Sequence, residues 1–214
     1  MTVAEIGARL NMRRKPLIIQ IGVVHIHPSA TLLPALIYFL SAGYFVLLTA
    51  IAVAVHELGH YAALRLSGGE IKRLKLWIGG VSMVYGGLGY AGEAITALAG
   101  PLASLLLAVA ASFFGRIFSG AAISESAYHL AGLSLLLAIF NMLPVFPLDG
   151  GRVLFATIAR LAGLEPAECV RKICAVLLTA AIGAAGTLML WVSGNPTLFI
   201  AAVFLALGAS GHGE

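Results

Sequence analysis

The run His56-Glu57-Leu58-Gly59-His60 lies inside a long apolar segment and constrains the chain more than any other feature of the sequence. Residues 44–55, just ahead of it, carry no charge. An ionised carboxylate at the centre of a bilayer costs about 2.5 to 3.5 kcal/mol on insertion scales, so Glu57 requires a partner or a water-filled cavity. On a helix, histidines at i and i+4 share one face and can hold one Zn²⁺, and the Glu between them can reach a water at the metal. The duller alternative is a pair of core histidines with a stray Glu beside them.

Composition decides which environment this segment meets. Of 214 residues, 60% are hydrophobic and only 10% charged, and the mean hydropathy of +1.01 lies far outside the range of soluble domains. The chain reads as a membrane protein. The first apolar run follows Arg9, Arg13, Arg14 and Lys15, but it contains His25, His27 and Pro28 and has no A-x-A-like cleavage site, so a removed signal peptide is not expected. The net charge of +4 comes from basic residues flanking apolar segments, where they set orientation, and nucleic-acid binding is not expected. Cys169 and Cys174, five apart on a helical stretch, point away from each other and suit neither a disulfide nor a zinc pair.

Taken in order, residues 1–15 are amphipathic, with Val3, Ile6 and Leu10 at helical spacing, and are expected to lie on the cytoplasmic membrane surface. Val24 to Pro28 places His25 and His27 on one face of an extended segment. Apolar spans are expected at 30–42, 44–66, 93–118, 128–143, 173–191 and 198–208, with Gly43 and Asn195-Pro196 as turns. Between the second and third, residues 71–85 around Gly79-Gly80 read as a short apolar hairpin. Strand edges exposed to lipid are forbidden, so it must be covered by protein or line a wet cavity. Gly100-Pro101 interrupts the third span. The fourth runs into Pro144-Val145-Phe146-Pro147-Leu148-Asp149-Gly150-Gly151, which ends regular helix until Arg152. With the N-terminus inside, twelve of the 13 Lys and Arg residues fall on the cytoplasmic side and Arg116 alone on the other, which predicts that both termini are cytoplasmic.

A catalytic zinc site takes three protein ligands and one open position. His56 and His60 supply two; the third can come from His25, His27, His129, Glu93 or Asp149. Asp149 is favoured because it is the chain's only Asp, follows an apolar run, and sits in a proline- and glycine-broken segment able to aim a side chain inward. Without the histidines, the same stretch would read as an Asp-Gly turn at the membrane surface. Asn141, a polar group in apolar surroundings, can bond a substrate backbone or an oxyanion, or equally a neighbouring helix. Segments 65–75 and 144–151, the latter with Pro144 and Pro147, are natural walls for a cytoplasm-facing channel. The hairpin, with Val81 and Met83 in its second half, can pair with an unwound substrate as an added strand.

His56-Glu57-x-x-His60 in the second span, Gly100-Pro101 in the third and Asn141-x-x-Pro144-x-x-Pro147-x-Asp149-Gly150 after the fourth resemble the motifs of site-2 proteases, the intramembrane zinc metalloproteases. Ile26-His27-Pro28 and the compact six-span layout are most similar to the family's sporulation branch. The resemblance covers nearly the whole chain. It implies one Zn²⁺ held by His56, His60 and Asp149, Glu57 as catalytic base, and a place in a bacterial cell membrane. It also implies substrates that are membrane-associated proteins, such as an inactive sigma-factor precursor, and inhibitory membrane partners. That branch typically carries a C-terminal cystathionine-beta-synthase-type domain. The expectation here is a single membrane-embedded domain over 1–214 without it: an all-α polytopic protein of about six transmembrane helices with a small membrane-associated β-hairpin.

Two other classes fit part of the pattern. A membrane metal transporter would also bury His and carboxylate groups but would show internal repeats, and residues 1–107 and 108–214 share no motif. A non-catalytic relative that merely holds a partner in the membrane would be expected to have lost Glu57 or a ligand; all four residues are present.

Overall fold

The computed structural model describes residues 19–21, 24–26, 43–77, 80–118 and 120–210. The amphipathic start, the first expected span, His27 and Gly79 lie outside them. Along the chain run β1 (Ile19–Ile21), β2 (Val24–Ile26), α1 (Gly43–Leu66), β3 (Glu70–Trp77), β4 (Gly80–Gly86), α2 (Tyr90–Ile117), α3 (Ala121–Asn141), α4 (Asp149–Ala162), α5 (Leu164–Ser193) and α6 (Thr197–Ser210). The strands and the start of α1 form one compact unit, and the helical chain from Leu48 onward forms the other.

The protein is mostly helical, as expected, and among the described residues its strands form a four-stranded sheet in the order β1-β2-β3-β4, larger than the expected two-stranded hairpin. β1 and β2 pair antiparallel, β2 and β3 parallel, and β3 and β4 antiparallel, with Leu74 opposite Met83 and Leu76 opposite Val81. Short β-branched runs such as Ile19-Gln20-Ile21 and Val24-His25-Ile26 are too brief to announce themselves as strands, and their pairing across to β3 is nonlocal. Among the described residues, β4 ends the order and is an edge of the sheet.

In the helical unit, α1 carries no Asp, Glu, Lys or Arg side chain from Gly43 to His56 and is rich in Ala and Leu, which favours helix and lipid together. It stops in a Schellman motif: Gly68, at φ +76°, donates to the Arg65 carbonyl, and Gly69 donates to that of Leu64. Its buried stripe is Ala52, His56, His60 and Leu64. α2 packs against α3 and α4, α4 against α5, and α5 against α6. Among the described residues, four helices (α1, α2, α3 and α5) are long and apolar enough to cross a membrane. α6 is as apolar, but its 14 residues rise about 21 Å, short of a hydrocarbon core about 30 Å thick. α5 runs through the charged patch expected to precede it, where Arg171 pairs with Glu168 one turn earlier.

The interior is built mostly of small residues. Ala52, Ala97, Ala108, Ala111, Ala127, Ala131, Ala138, Ala156 and Ala159 are buried, while Leu47, Leu106, Phe113, Leu136, Val176 and Trp191 are exposed. This is how helices associate in lipid, where burying large apolar groups brings no gain and close backbone approach does; the chain is an integral membrane protein. One larger apolar cluster, Val145, Leu148 and Leu205 with Phe140, Leu143, Leu178 and Ile182 around it, ties the 140–148 segment to α5 and α6. Helix α1 comes close to α2 at one glycine: a Cβ on Gly59 would stand 2.6 Å from the Ala99 carbonyl oxygen and 2.7 Å from the Ala103 Cβ. Gly59→Ala is therefore expected to destabilise the protein by about 1 to 3 kcal/mol through overpacking. Gly132→Ala on α3, whose added Cβ meets nothing, should be neutral or stabilise by up to about 1 kcal/mol. Thermal unfolding of both variants in one detergent checks the contrast.

Candidate metal centre

The i, i+4 spacing on α1 brings His56 and His60 to one face, and Asp149, the first residue of α4, meets them there. Asp149 Oδ2 lies 3.1 Å from Nε2 of each histidine, and the two Nε2 atoms are 3.2 Å apart. All three residues are buried. Among the described residues, this is the group of His, Cys, Asp and Glu side chains close enough to hold one metal ion.

The far side of each imidazole fixes what the near side offers. His60 Nδ1 donates to the Thr96 carbonyl at 2.8 Å; a carbonyl only accepts, so in the neutral ring Nε2 carries the lone pair. His56 Nδ1 is 2.9 Å from the Ser104 hydroxyl, which is able to accept from it and so permits the same tautomer. In that tautomer two nitrogen lone pairs and a carboxylate oxygen face one another, an arrangement that repels unless a cation lies among them. Their separations of 3.1 to 3.2 Å are close to the edge, roughly 3.3 Å, of a tetrahedron with the arms of about 2.05 Å that zinc makes to N and O ligands. The donor set fits a metal ion.

Helix α2 supplies the outer face of the centre. Thr96, Gly100 and Ser104 recur at four-residue spacing along one buried stripe. Gly100 is required there, because a Cβ would run into the His60 ring. Pro101 cannot donate to the Ala97 carbonyl, so the helical ladder of α2 is open by one bond at this level. Thr96 and Ser104 are marked in the sequence only by a polar, small, polar pattern at helical spacing in an apolar helix.

Asp149 is aimed by the segment before it. The helix begins at Asp149 itself rather than at Arg152 as expected, because an acidic residue suits a helix N-terminus and the two following glycines let the turn fold against its own lead-in. A Cβ on Gly150 would strike the Met142 carbonyl, and one on Gly151 would stand 2.5 Å from the Val145 carbonyl carbon. The proline-broken stretch is therefore pressed onto the first turn of α4.

Glu57 is partly buried and near enough to His56, His60, Asp149 and Arg152 to feel the charge of each. Of the other ligand candidates, His129 is on α3 and Glu93 on α2, both outside the group, and His25 is on β2 opposite Gln20 and Lys75. Asn141 uses its side-chain amide to donate to the Leu137 carbonyl of its own helix at 3.0 Å. Pro144 is exposed and Pro147 partly buried in the segment leading to Asp149, and Val81 and Met83 lie on β4.

Metal analysis of the detergent-purified chain is expected to find one ion per chain. Asp149→Ala and Gly100→Ala should each bring that below one-half, the first by removing a ligand and the second by displacing the His60 ring. Full occupancy in Asp149→Ala would remove it from the ligand set.

A family model described as peptidase family M50 matches residues 118–185, a stretch that includes Asp149. The chain is 35% identical over 158 residues to the putative zinc metalloprotease Rip3 of Mycobacterium tuberculosis, an alignment covering 68% of this chain and 40% of that relative. It is 30% identical over 149 residues to stage IV sporulation protein FB of Bacillus subtilis, covering 68% of this chain and 51% of the relative. Its fold is similar to that of the site-2 protease from Methanocaldococcus jannaschii, with a TM-score of 0.72, 25% identity, and coverage of 92% of this chain and 94% of that one. The resemblance first carried by the His56, Gly100 and Asp149 motifs thus extends to sequence and fold together, and the chain is a relative of the site-2 proteases of peptidase family M50.

Proposed function

We propose that this chain is an intramembrane zinc metalloprotease that hydrolyses a peptide bond of a membrane-associated protein at the cytoplasmic side of the bilayer. The observation that carries the reading is the convergence of His56 Nε2, His60 Nε2 and Asp149 Oδ2, with Glu57 on the same turn of α1. Zinc, when bound, would supply a Lewis acid that makes water acidic enough to deprotonate near neutral pH and polarises a carbonyl. His56, His60 and Asp149 would hold it, and Glu57 takes the proton from water as the scissile carbonyl is attacked. Glu57 then returns that proton to the leaving amine.

The chain spans about half or less of the two curated relatives described above. The name of the mycobacterial relative supports a zinc peptidase, and the motif resemblance described above suggests a sigma-factor precursor as substrate class, with membrane proteins that inhibit cleavage until a signal arrives. Six crossings, counting α6 and residues 30–42 as short spans, with both termini cytoplasmic, agree with the placement of twelve of the 13 basic residues. A substrate helix hides its carbonyls in its own hydrogen bonds and must unwind to be cut. β4, paired on one side only among the described residues, offers an edge on which such a segment can lie along Val81 and Met83. Asn141, Pro144 and Pro147 then contact the substrate near Asp149.

Glu57→Gln should retain zinc and fold while cleavage falls by about 10²- to 10⁴-fold or more, since the amide cannot accept the proton. Turnover at the parent rate would reject Glu57 as base. If the Val81 and Met83 N–H groups face the substrate, Pro at either position should lower cleavage with zinc content unchanged, because it removes a backbone donor. Cysteine crosslinks from β4 to successive substrate positions should show a two-residue period; a 3.6-residue period would mean that the substrate arrives as a helix.

A further inference from the structure

Each residue of the metal centre has a second polar atom, and each of these is held. His56 has Ser104, His60 has the Thr96 carbonyl, and Asp149 has Arg152, whose Nη1 lies 3.4 Å from Oδ1. Arg152 is in turn 3.9 Å from Glu93 Oε1, reaching from α2, and its charge bears on Glu57 as well. Its position asks for an explanation. Arg152 sits in the first turn of α4, where the positive end of the helix dipole disfavours a cation, and its side chain is only 22% exposed. Three carboxylates, on Glu57, Glu93 and Asp149, surround this one guanidinium. When all are ionised they are balanced by the guanidinium and one divalent metal together, and by neither alone; a net charge left in an apolar interior is strongly unfavourable.

We propose that Arg152 is a positioning residue of the metal centre: its guanidinium holds Asp149 Oδ1, so that Oδ2 alone faces the two imidazoles, and Glu93 holds the guanidinium. This rests on His56, His60 and Asp149 being the metal ligands. Arg suits the role because its planar fork can address two carboxylates from different helices while staying charged. Glu93, outside the ligand group, thereby gains a function: it ties α2 to the start of α4 and completes a ring in which each ligand's outer atom is fixed.

The test uses the full chain in detergent, loaded with zinc and challenged with an excess of chelator, with Co²⁺ substitution as a second probe. Outer partners of metal ligands typically affect affinity by about 10- to 100-fold, so Arg152→Ala should release zinc about tenfold faster or more, and the visible Co²⁺ spectrum should change as Asp149 reorients. Zinc should also raise the melting temperature of Arg152→Ala less than it raises that of the parent, whatever the substitution does to the zinc-free form. A purely structural Arg152 would lower both forms equally and leave the release rate unchanged; that result overturns the proposal. If Arg152→Ala does not fold, Glu93→Gln carries the same measurement, with ligands and Arg152 in place. Several-fold faster release is then expected, and release at the parent rate overturns the proposal. A parent chain that takes up no zinc would instead overturn the ligand assignment itself.

Discussion

Helix α1 can carry its histidines into the interior only because it approaches α2 at the separation that Gly59 and Gly100 permit. With a side chain at either position, the backbone of one helix or the imidazole of the other would have to move. At this separation the Thr96 carbonyl and the Ser104 hydroxyl come within hydrogen-bond reach of the two Nδ1 atoms. The tautomer of the His60 ring and the direction of its lone pair follow from that contact. The candidate metal centre is therefore a consequence of helix packing between small residues, the interaction that lipid leaves available.

The start of α4 meets an opposite difficulty. Asp149 must leave a proline-broken lead-in and still point inward, and two glycines in succession would ordinarily loosen a helix. Here they let the first turn lie on the 142–146 backbone, while Val145 and Leu148 anchor the same segment among apolar side chains from α5 and α6. Local flexibility in the sequence is spent on a tight contact, and the carboxylate comes out fixed.

Much of this was legible in the residues themselves. The His56 and His60 pair announces itself because four-residue spacing needs only a helix, and Asp149 stands out as the sole Asp behind an apolar run. The long apolar helices follow from composition alone. What sequence could not give are relations set by tertiary contact. Ser104 and Thr96 look like ordinary polar residues of a membrane helix until the imidazoles are placed beside them. Arg152 counts as one more cytoplasmic charge until Asp149 Oδ1 and Glu93 are seen around it. The parallel pairing of β2 with β3 joins segments separated by α1, and three-residue strands carry no period to detect. The start of α4 was placed three residues late because Asp-Gly-Gly reads as a turn wherever its packing partner is unknown.

The interior of Ala, Gly and Ser beneath an exterior of Leu, Phe and Val also reverses the usual arithmetic of sequence drift. In a soluble protein the damaging changes inside are mostly truncations, which open cavities. Here there is little to truncate, and a random change at Gly59, Ala97, Gly100 or Ala156 almost always adds atoms where there is no room. Leu47, Leu106 and Leu136, facing lipid, can exchange among apolar residues of many shapes with little effect on the helix contacts. Lineages that descend from this chain should thus preserve its smallest side chains more strictly than its largest, and the positions that look least informative in the sequence are those that drift can least afford to touch.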